Sequence, residues 1–572
     1  MPAGDAGDAV VAALAAGGVD CLFFTSGSEI AFFQESIAKA GATGNPAPRM
    51  IVVTHEHASL NAALGYTAVT GKASATAVHV DAGTLHHGAA IHTAMRANLP
   101  IVMTAGFPPT SATGTSTAAR NQGGHLWLQQ TYDQHSVVRQ YVKWDHRLTA
   151  HDSPGLLTSR ALQMATAEPA GPVYLAMAPE VSMAAMPAHS FPTVHGLGRV
   201  VAAAPDPDGI REVAERLLSA RAPRLVVSGS GRDPRTVPEL VALCELLGLP
   251  VAHASTRNYM SFPMAHPLLQ LDADLSEADV VVVLEAEVPW LPGPRAPQRD
   301  AWVAVLGHDP VKSKIPTYEF TANLRLAGDP LQAIRALHRE ARDLMTPDHA
   351  DRAHARAKEA ARASEAYRAG LAAEVARLEG SPIIQPLQVT QALADIVDDD
   401  AVVFDDTLPH NRVFEFLRCS RPGSYFFTPG TSGGWAPGAA FGAKLALPGR
   451  DVIAVTGDGF YMFATPAAAL WSAVHYGAPY LTVVYQNRSW ATGTLRTAKM
   501  YPDGFAQRSG LEGGYFDPPM DFALEAQACG AYGENVKDPA QLRAALLRGL
   551  EQVRAGKPAV ISVWLPRHLQ AD

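Results

Sequence analysis

The sequence predicts an α/β protein of three doubly wound parallel-sheet domains, and three observations predict it. Short apolar and β-branched runs alternate with helical segments along most of the chain, the pattern of βαβ units. Polar and glycine-containing clusters follow directly after several of those runs, where open parallel sheets bind ligands. The chain has 572 residues, enough for several separate cores.

Taken in order, residues 8–19 read as an amphipathic helix and 21–25 as a buried strand that ends in Ser26-Gly27-Ser28-Glu29. Phe32 and Phe33 open the next helix. A strand over 50–53 runs into Thr54-His55-Glu56-His57, and a small-residue helix covers 58–69. A strand over 75–80 leads to a loop over 81–88, then a helix over 89–97 and a strand over 101–105. The run 171–181 holds the last strand of a first domain, 1–185. Residues 182–206 are rich in Pro, Ala and Gly and read as a linker. Linker and middle domain together take 186–378, with a helix over 207–219 and strands over 224–228, 280–285 and 302–306. The charged, alanine-rich segment 345–378 is helical by propensity. The third domain, 379–572, has strands over 452–455, 480–485 and 559–564, with a helix over 465–476 that stops near Gly477 and Pro479.

Composition narrows the function. The chain is 47% hydrophobic and 18% charged, ordinary for a soluble globular protein. A formal charge of −9 offers no basic patch for nucleic acid. Cys21, Cys244, Cys419 and Cys529 lack pairing or metal-ligand spacing and read as reduced thiols of a cytoplasmic protein. The first twenty residues lack the basic start of a signal peptide, and no apolar run is long enough to span a bilayer.

The chemistry concentrates where strands stop. The strand over 452–455 ends at Gly457-Asp458-Gly459, where two glycines let the backbone turn tightly beside a carboxylate and approach a ligand closely. The strand over 480–485 ends at Gln486-Asn487. One Asp, one amide and backbone carbonyls suit a hard divalent ion that also holds phosphates. Glu56 stands at another strand end; taken alone, it is a helix N-terminal acid favoured by the macrodipole.

Together, Gly457-Asp458-Gly459, the later Asn487 and the distant Glu56 resemble the cofactor motifs of thiamine-diphosphate enzymes of the decarboxylase and acetolactate synthase superfamily. The likeness covers nearly the whole chain. It implies a pyrimidine-binding first domain, a middle domain and a pyrophosphate-binding third domain. It implies that Asp458, Asn487 and the carbonyl of Ser489 ligate Mg²⁺, and that Gly457, Gly459 and Phe460 frame the diphosphate with backbone N–H groups. The family usually shows two Asn in a row, and Gln486 replaces the first here. Glu56 matches the Glu that hydrogen-bonds the pyrimidine ring and so promotes loss of the thiazolium C2 proton. Thr407 matches a phosphate-contacting Thr. The family places Glu and GDG motif on different subunits, so a homodimer or homotetramer with active sites at the interface is expected.

The stretches PGSYFFTPGTSGGWAPGAAFGAKLA and AAALWSAVHYGAP are similar to benzoylformate decarboxylases. On that likeness Ser28, His79 and His266 fall on active-site positions, and His86 falls where 2-hydroxyacyl-CoA lyases carry His. Histidine suits the proton transfers of a 2-oxo acid reaction that passes through an enamine. The bulky residue that the family wedges beneath the cofactor is replaced by Gly433, which leaves Trp435 or a neighbour to fill the place.

The expected function is a thiamine-diphosphate- and Mg²⁺-dependent lyase or carboligase acting on a small 2-oxo acid. Three alternatives stand beside it: a 2-hydroxyacyl-CoA lyase using an aldehyde or acyl-CoA, an acetolactate synthase, and a non-catalytic relative that binds the cofactor. Arg232, Arg235 and Arg257 are the basic residues the middle domain offers to a nucleotide. Gly229-Ser230-Gly231-Arg232 is too short to be a flavin motif, so FAD is not indicated, though it stays open.

Overall fold

The computed structural model describes residues 4–113, 118–198, 200–255 and 258–569. Three parallel sheets organise them. The first runs, in spatial order, Arg49–Val52, Cys21–Phe24, Ser74–Val78, Ile101–Gly106, Val173–Met177 and Asp145–Leu148. Counted along the chain that order is 2-1-3-4-6-5. The third sheet runs Tyr425–Phe427, Val402–Asp406, Val452–Gly457, Leu481–Gln486, Ala559–Trp564 and Tyr532–Val536, again in the order 2-1-3-4-6-5. The middle sheet has five strands, Val251–His253, Pro223–Val227, Val280–Leu284, Trp302–Gly307 and Leu324–Ala327. The central strands are buried end to end because helices cover both faces, which is why they read as unbroken apolar runs.

Each sheet reverses its winding between its first and third strands. At that point the loops leaving the two strands part and open a crevice. In the first sheet the crevice lies between Cys21–Phe24 and Ser74–Val78, and in the third between Val402–Asp406 and Val452–Gly457.

The first and third domains share one core. Helix Glu56–Thr70 lies against helix Ala436–Ala446 through glycine and alanine. A Cβ at Gly65 would stand 2.0 Å from the Ala439 carbonyl, and one at Gly442 would stand 1.8 Å from that of Ala62. The two backbones therefore touch, and only glycine allows it. The middle domain shares a second apolar core with the third and meets the first by polar contacts: Tyr259 donates to the Ala97 carbonyl at 2.8 Å, and Arg232 grips Glu168 with both amino groups at 2.9 and 2.8 Å.

The structure departs from the sequence reading in places. Residues Asp81–His86 form a helix rather than a loop. Asp81 accepts the Ala82 N–H at its start and the Thr84 hydroxyl returns to the Val80 carbonyl at 3.0 Å, so polar side chains that read as loop-forming bond to the helix's own backbone. The preceding strand stops at Val78, which puts His79 beyond its end. Within the expected linker, Ala185–Met186 pair antiparallel with Gly4–Asp5. Asp458 begins a helix, Asp458–Phe463, instead of sitting in an open turn. The charged segment of the middle domain is a single helix, Pro347–Ala376, of 30 residues, opened by a Thr346 capping box. No helix of the described residues is long and apolar enough to cross a membrane.

Candidate active site

Two half-sites occupy the two equivalent crevices. In the first domain, the loop after the first strand carries Gly27, Ser28 and Glu29, and His79 follows the third strand. The two loops meet closely: a Cβ on Gly27 would lie 2.7 Å from the His79 Cβ. Glu29 is 2% exposed, and its Oε2 lies 2.6 Å from His79 Nδ1. The Gln129 amide donates to its other oxygen. The contact with the Glu29 carboxylate holds the His79 pKa above its ordinary value, against the opposing effect of burial. Burial pushes Glu29 up, but the hydrogen bonds from His79 and Gln129 together draw it below the usual carboxylate range. Sequence reasoning passed over Glu29; the only available signal was a lone acid directly after a buried apolar strand.

Glu56 heads its helix, 7% exposed, with Oε2 3.3 Å from His86 Nδ1. His55, the helix N-cap, accepts the His57 N–H on Nδ1 at 3.1 Å, and its ring stacks on that of His86. His87 is fully buried, and burial pushes its pKa down to about 3, so the ring is neutral. Ser28 is exposed at the crevice rim, where a short 3₁₀ turn begins.

In the third domain, a cavity of about 200 Å³ sits over the crevice. Asp406, His410 and Asn411 line one side, Gly457, Asp458, Gly459 and Phe460 another, and Asn487, Ser489 and Trp490 a third. Asp458 is 2% exposed; its Oδ2 accepts the Arg488 N–H at 2.5 Å and its Oδ1 that of Gly459 at 2.8 Å. Burial nevertheless raises its pKa to about 7, the signature of a carboxylate that lacks a countercharge. Asn487 Oδ1 accepts both the Ser489 N–H and its hydroxyl. Arg488 between them adopts a left-handed φ of 58°, which bends the chain around Asp458. The donors are all oxygens, and the buried Asp458 carries charge in need of neutralisation, so these residues fit a hard divalent cation and the diphosphate it would bind.

Other positions fall differently. Gln486 donates to the Met520 carbonyl at 2.7 Å and accepts from Ser562, so it faces the core, not the cavity, and its amide never competes for an ion. The Thr407 hydroxyl donates to Asp405 at 2.7 Å, and Thr407 does not line the cavity. Trp435 is 3% exposed and packs edge-on against Phe404, away from the cavity. The space beside Gly433 is taken by the Phe460 ring, which a Cβ at Gly433 would meet at 2.1 Å. His266 has both ring nitrogens engaged within the middle domain, with Leu268 N and Glu245. Arg257 lies outside the described residues.

Asp406 is a second residue the sequence did not single out. It is fully buried, its Oδ2 holds the Gly434 and Trp435 N–H groups at 2.7 and 2.9 Å, and its Oδ1 has no partner. On its other side, the Gly434 carbonyl faces His57 Nε2 and the Asn61 amide at 3.4 Å. The turn at Gly434 is thus clamped between the two domains. No first-domain residue lines the 200 Å³ cavity among the described residues.

Two family models match the chain: the thiamine pyrophosphate enzyme N-terminal TPP-binding domain over residues 4–137 and the corresponding C-terminal TPP-binding domain over 410–563. With the fold and both half-sites, they show that the chain belongs to the thiamine-diphosphate-dependent enzymes, in the superfamily of decarboxylases and acetolactate synthases. Among curated relatives, benzoylformate decarboxylase of Pseudomonas aeruginosa is 27% identical over 538 residues, covering 90% of this chain and 91% of that protein. Sulfoacetaldehyde acetyltransferase of Alcaligenes xylosoxydans xylosoxydans is 26% identical, covering 98% and 93%. The solved thiamine-diphosphate-dependent 4-hydroxybenzoylformate decarboxylase of Rhodococcus jostii RHA1 superposes with a TM-score of 0.77 at 21% identity, over 99% of this chain and 100% of that one.

Proposed function

We propose that the protein is a thiamine-diphosphate- and Mg²⁺-dependent lyase or carboligase acting on a 2-oxo acid, assembled so that Glu56 of one subunit faces the Asp458 cavity of another. The observation that carries this reading is the pair of half-sites at equivalent crevices of two sheets with the same strand order, neither complete in one chain. When bound, the cofactor supplies a nucleophilic carbon and an electron sink for a departing carboxylate.

The chain's own residues manage position and protons. The Asp458 and Asn487 side-chain oxygens and the Ser489 carbonyl would hold the ion, and the Phe460 N–H at the helix start would meet the diphosphate, while the Gly459 N–H is already taken by Asp458. The Phe460 ring fills the place left by Gly433 and bounds the cavity there. Glu56 would hydrogen-bond the pyrimidine ring of the bound cofactor. The contact with Glu29 favours the charged form of His79, which would suit it to hold a substrate carboxylate or donate a proton.

The acyl-CoA and flavin readings need a nucleotide site in the middle domain. The crevice of that sheet is closed by a hydrogen bond from Gly229 N–H to the Glu285 carbonyl at 2.8 Å. The cavity beside it measures about 60 Å³, room for a few waters. Of the arginines offered there, Arg232 is tied to Glu168 and Arg235 to Asp233. This favours the 2-oxo acid.

Two assays test it. Carbon dioxide release is measured across a panel of aliphatic and aromatic 2-oxo acids, in parallel with condensation of aldehydes with formyl-CoA. Condensation with no release from any oxo acid overturns the choice. Exchange of the cofactor C2 proton is fast in the wild type and slow in Glu56→Gln; wild-type exchange at the free-cofactor rate supports the non-catalytic relative.

A further inference from the structure

The molecule contains a second constellation suited to a metal, with donors of a different kind. His55, Glu56 and His86 each present one ligand atom, and the three atoms lie within 4.8 Å of one another, the one such cluster among the described residues. The Glu56 Oε2–His86 Nδ1 separation, 3.3 Å, is that of two ligands on one ion. The His55 and His86 rings lie parallel within 15°, their centroids 5.5 Å apart. His55 Nδ1 carries a lone pair, since it accepts the His57 N–H. The His86 side chain is 65% exposed, which leaves the site open to solvent, whereas that of Glu56 is 9% exposed.

We propose that His55, Glu56 and His86 bind one borderline divalent ion, Zn²⁺ in particular, and that this ion and the cofactor exclude each other. Two imidazoles and a carboxylate select Zn²⁺, Co²⁺ or Ni²⁺ over Mg²⁺, whereas the all-oxygen set of Asp458, Asn487 and Ser489 does the opposite. Three protein ligands leave a fourth position for water. Binding requires an unprotonated nitrogen on each imidazole, and an ion at His55 Nδ1 would take the place of one backbone N–H. Binding stands on this geometry alone. The exclusion rests on the assignment of Glu56 to the pyrimidine, because one carboxylate cannot serve both. Zn²⁺ would then hold the enzyme in an inactive, cofactor-free state.

The test uses the full chain freed of thiamine diphosphate and kept in excess Mg²⁺ so that the oxygen site is occupied. Co²⁺ is titrated by its visible absorption and Zn²⁺ by calorimetry. One ion per chain is expected, with affinity falling at least about tenfold in both His86→Ala and His55→Ala, since even outer partners of a ligand are worth that much. No saturable Co²⁺ spectrum, or one unchanged by both substitutions, overturns the site. Added thiamine diphosphate should weaken Zn²⁺ binding. If the site binds Zn²⁺ as before with cofactor present, the ion site stands and the exclusion falls, along with the role given to Glu56.

Discussion

At the scale of single residues, the pair Glu29–His79 shows how a buried carboxylate sets the state of an imidazole. The His79 pKa is raised above its ordinary 6.5 and that of Glu29 is lowered below 4.5. The His79 contribution to stability is complete below pH 6.5 and is lost as pH rises through the folded His79 value. That of Glu29 is complete above pH 4.5 and is lost as pH falls through the folded Glu29 value. The pair therefore stabilises the fold most between those two pH values. Glu29→Gln should lower the His79 pKa, read by NMR titration of the ring; an unmoved value would show that Glu29 does not set it. The Gly433–Phe460 contact makes a second prediction. Gly433→Leu alone overpacks against the ring and should cost about 1–3 kcal/mol. Combined with Phe460→Ala it should recover most of that loss in a thermal-unfolding cycle. Additive losses would mean that the two do not share one space.

Among elements, the crossing of helices Glu56–Thr70 and Ala436–Ala446 places the half-sites relative to one another. Its backbones touch at Gly65–Ala439 and Ala62–Gly442. Gly442→Leu should force the helices apart at a cost of about 3 kcal/mol. It should also loosen the Gly434 turn, seen as faster amide exchange at Gly434 and Trp435; unchanged exchange with lowered stability would separate packing from the turn. Most strands that bear the half-sites were readable because full burial makes them apolar runs bounded by polar residues, as in 452–455 and 480–485; Val402–Asp406, buried but ending in two acids, was passed over. Six strands of the three parallel sheets were passed over, among them Asp145–Leu148 and Tyr532–Val536, whose mixed residues lie at sheet edges where only one neighbour constrains them. The helix Asp81–His86 was missed because the polar residues that bond to its backbone also mark loops.

For the whole molecule, the proposed division of one site between two subunits can be tested directly. Glu56→Gln and Asp458→Asn should each abolish activity. When the two variants are unfolded and refolded together, half of the dimers are mixed and each mixed dimer holds one intact site. Random mixing should then restore about a quarter of wild-type activity. No recovery, with mixed dimers confirmed by mass, would place both residues in one chain's site.

Sequence alone was enough for the fold class, the family motifs and the candidate ligands Glu56, Asp458 and Asn487, because strand burial, glycine turns and hard-oxygen donors leave local marks in residue type and spacing. The folded chain decided what depends on distant contacts. It turned Gln486 into the core, tied Thr407 to Asp405, filled the place beside Gly433 with Phe460, and brought Glu29 to His79 and His86 to Glu56. None of these has a local mark, since each depends on which loops the crossing strands and helices bring face to face.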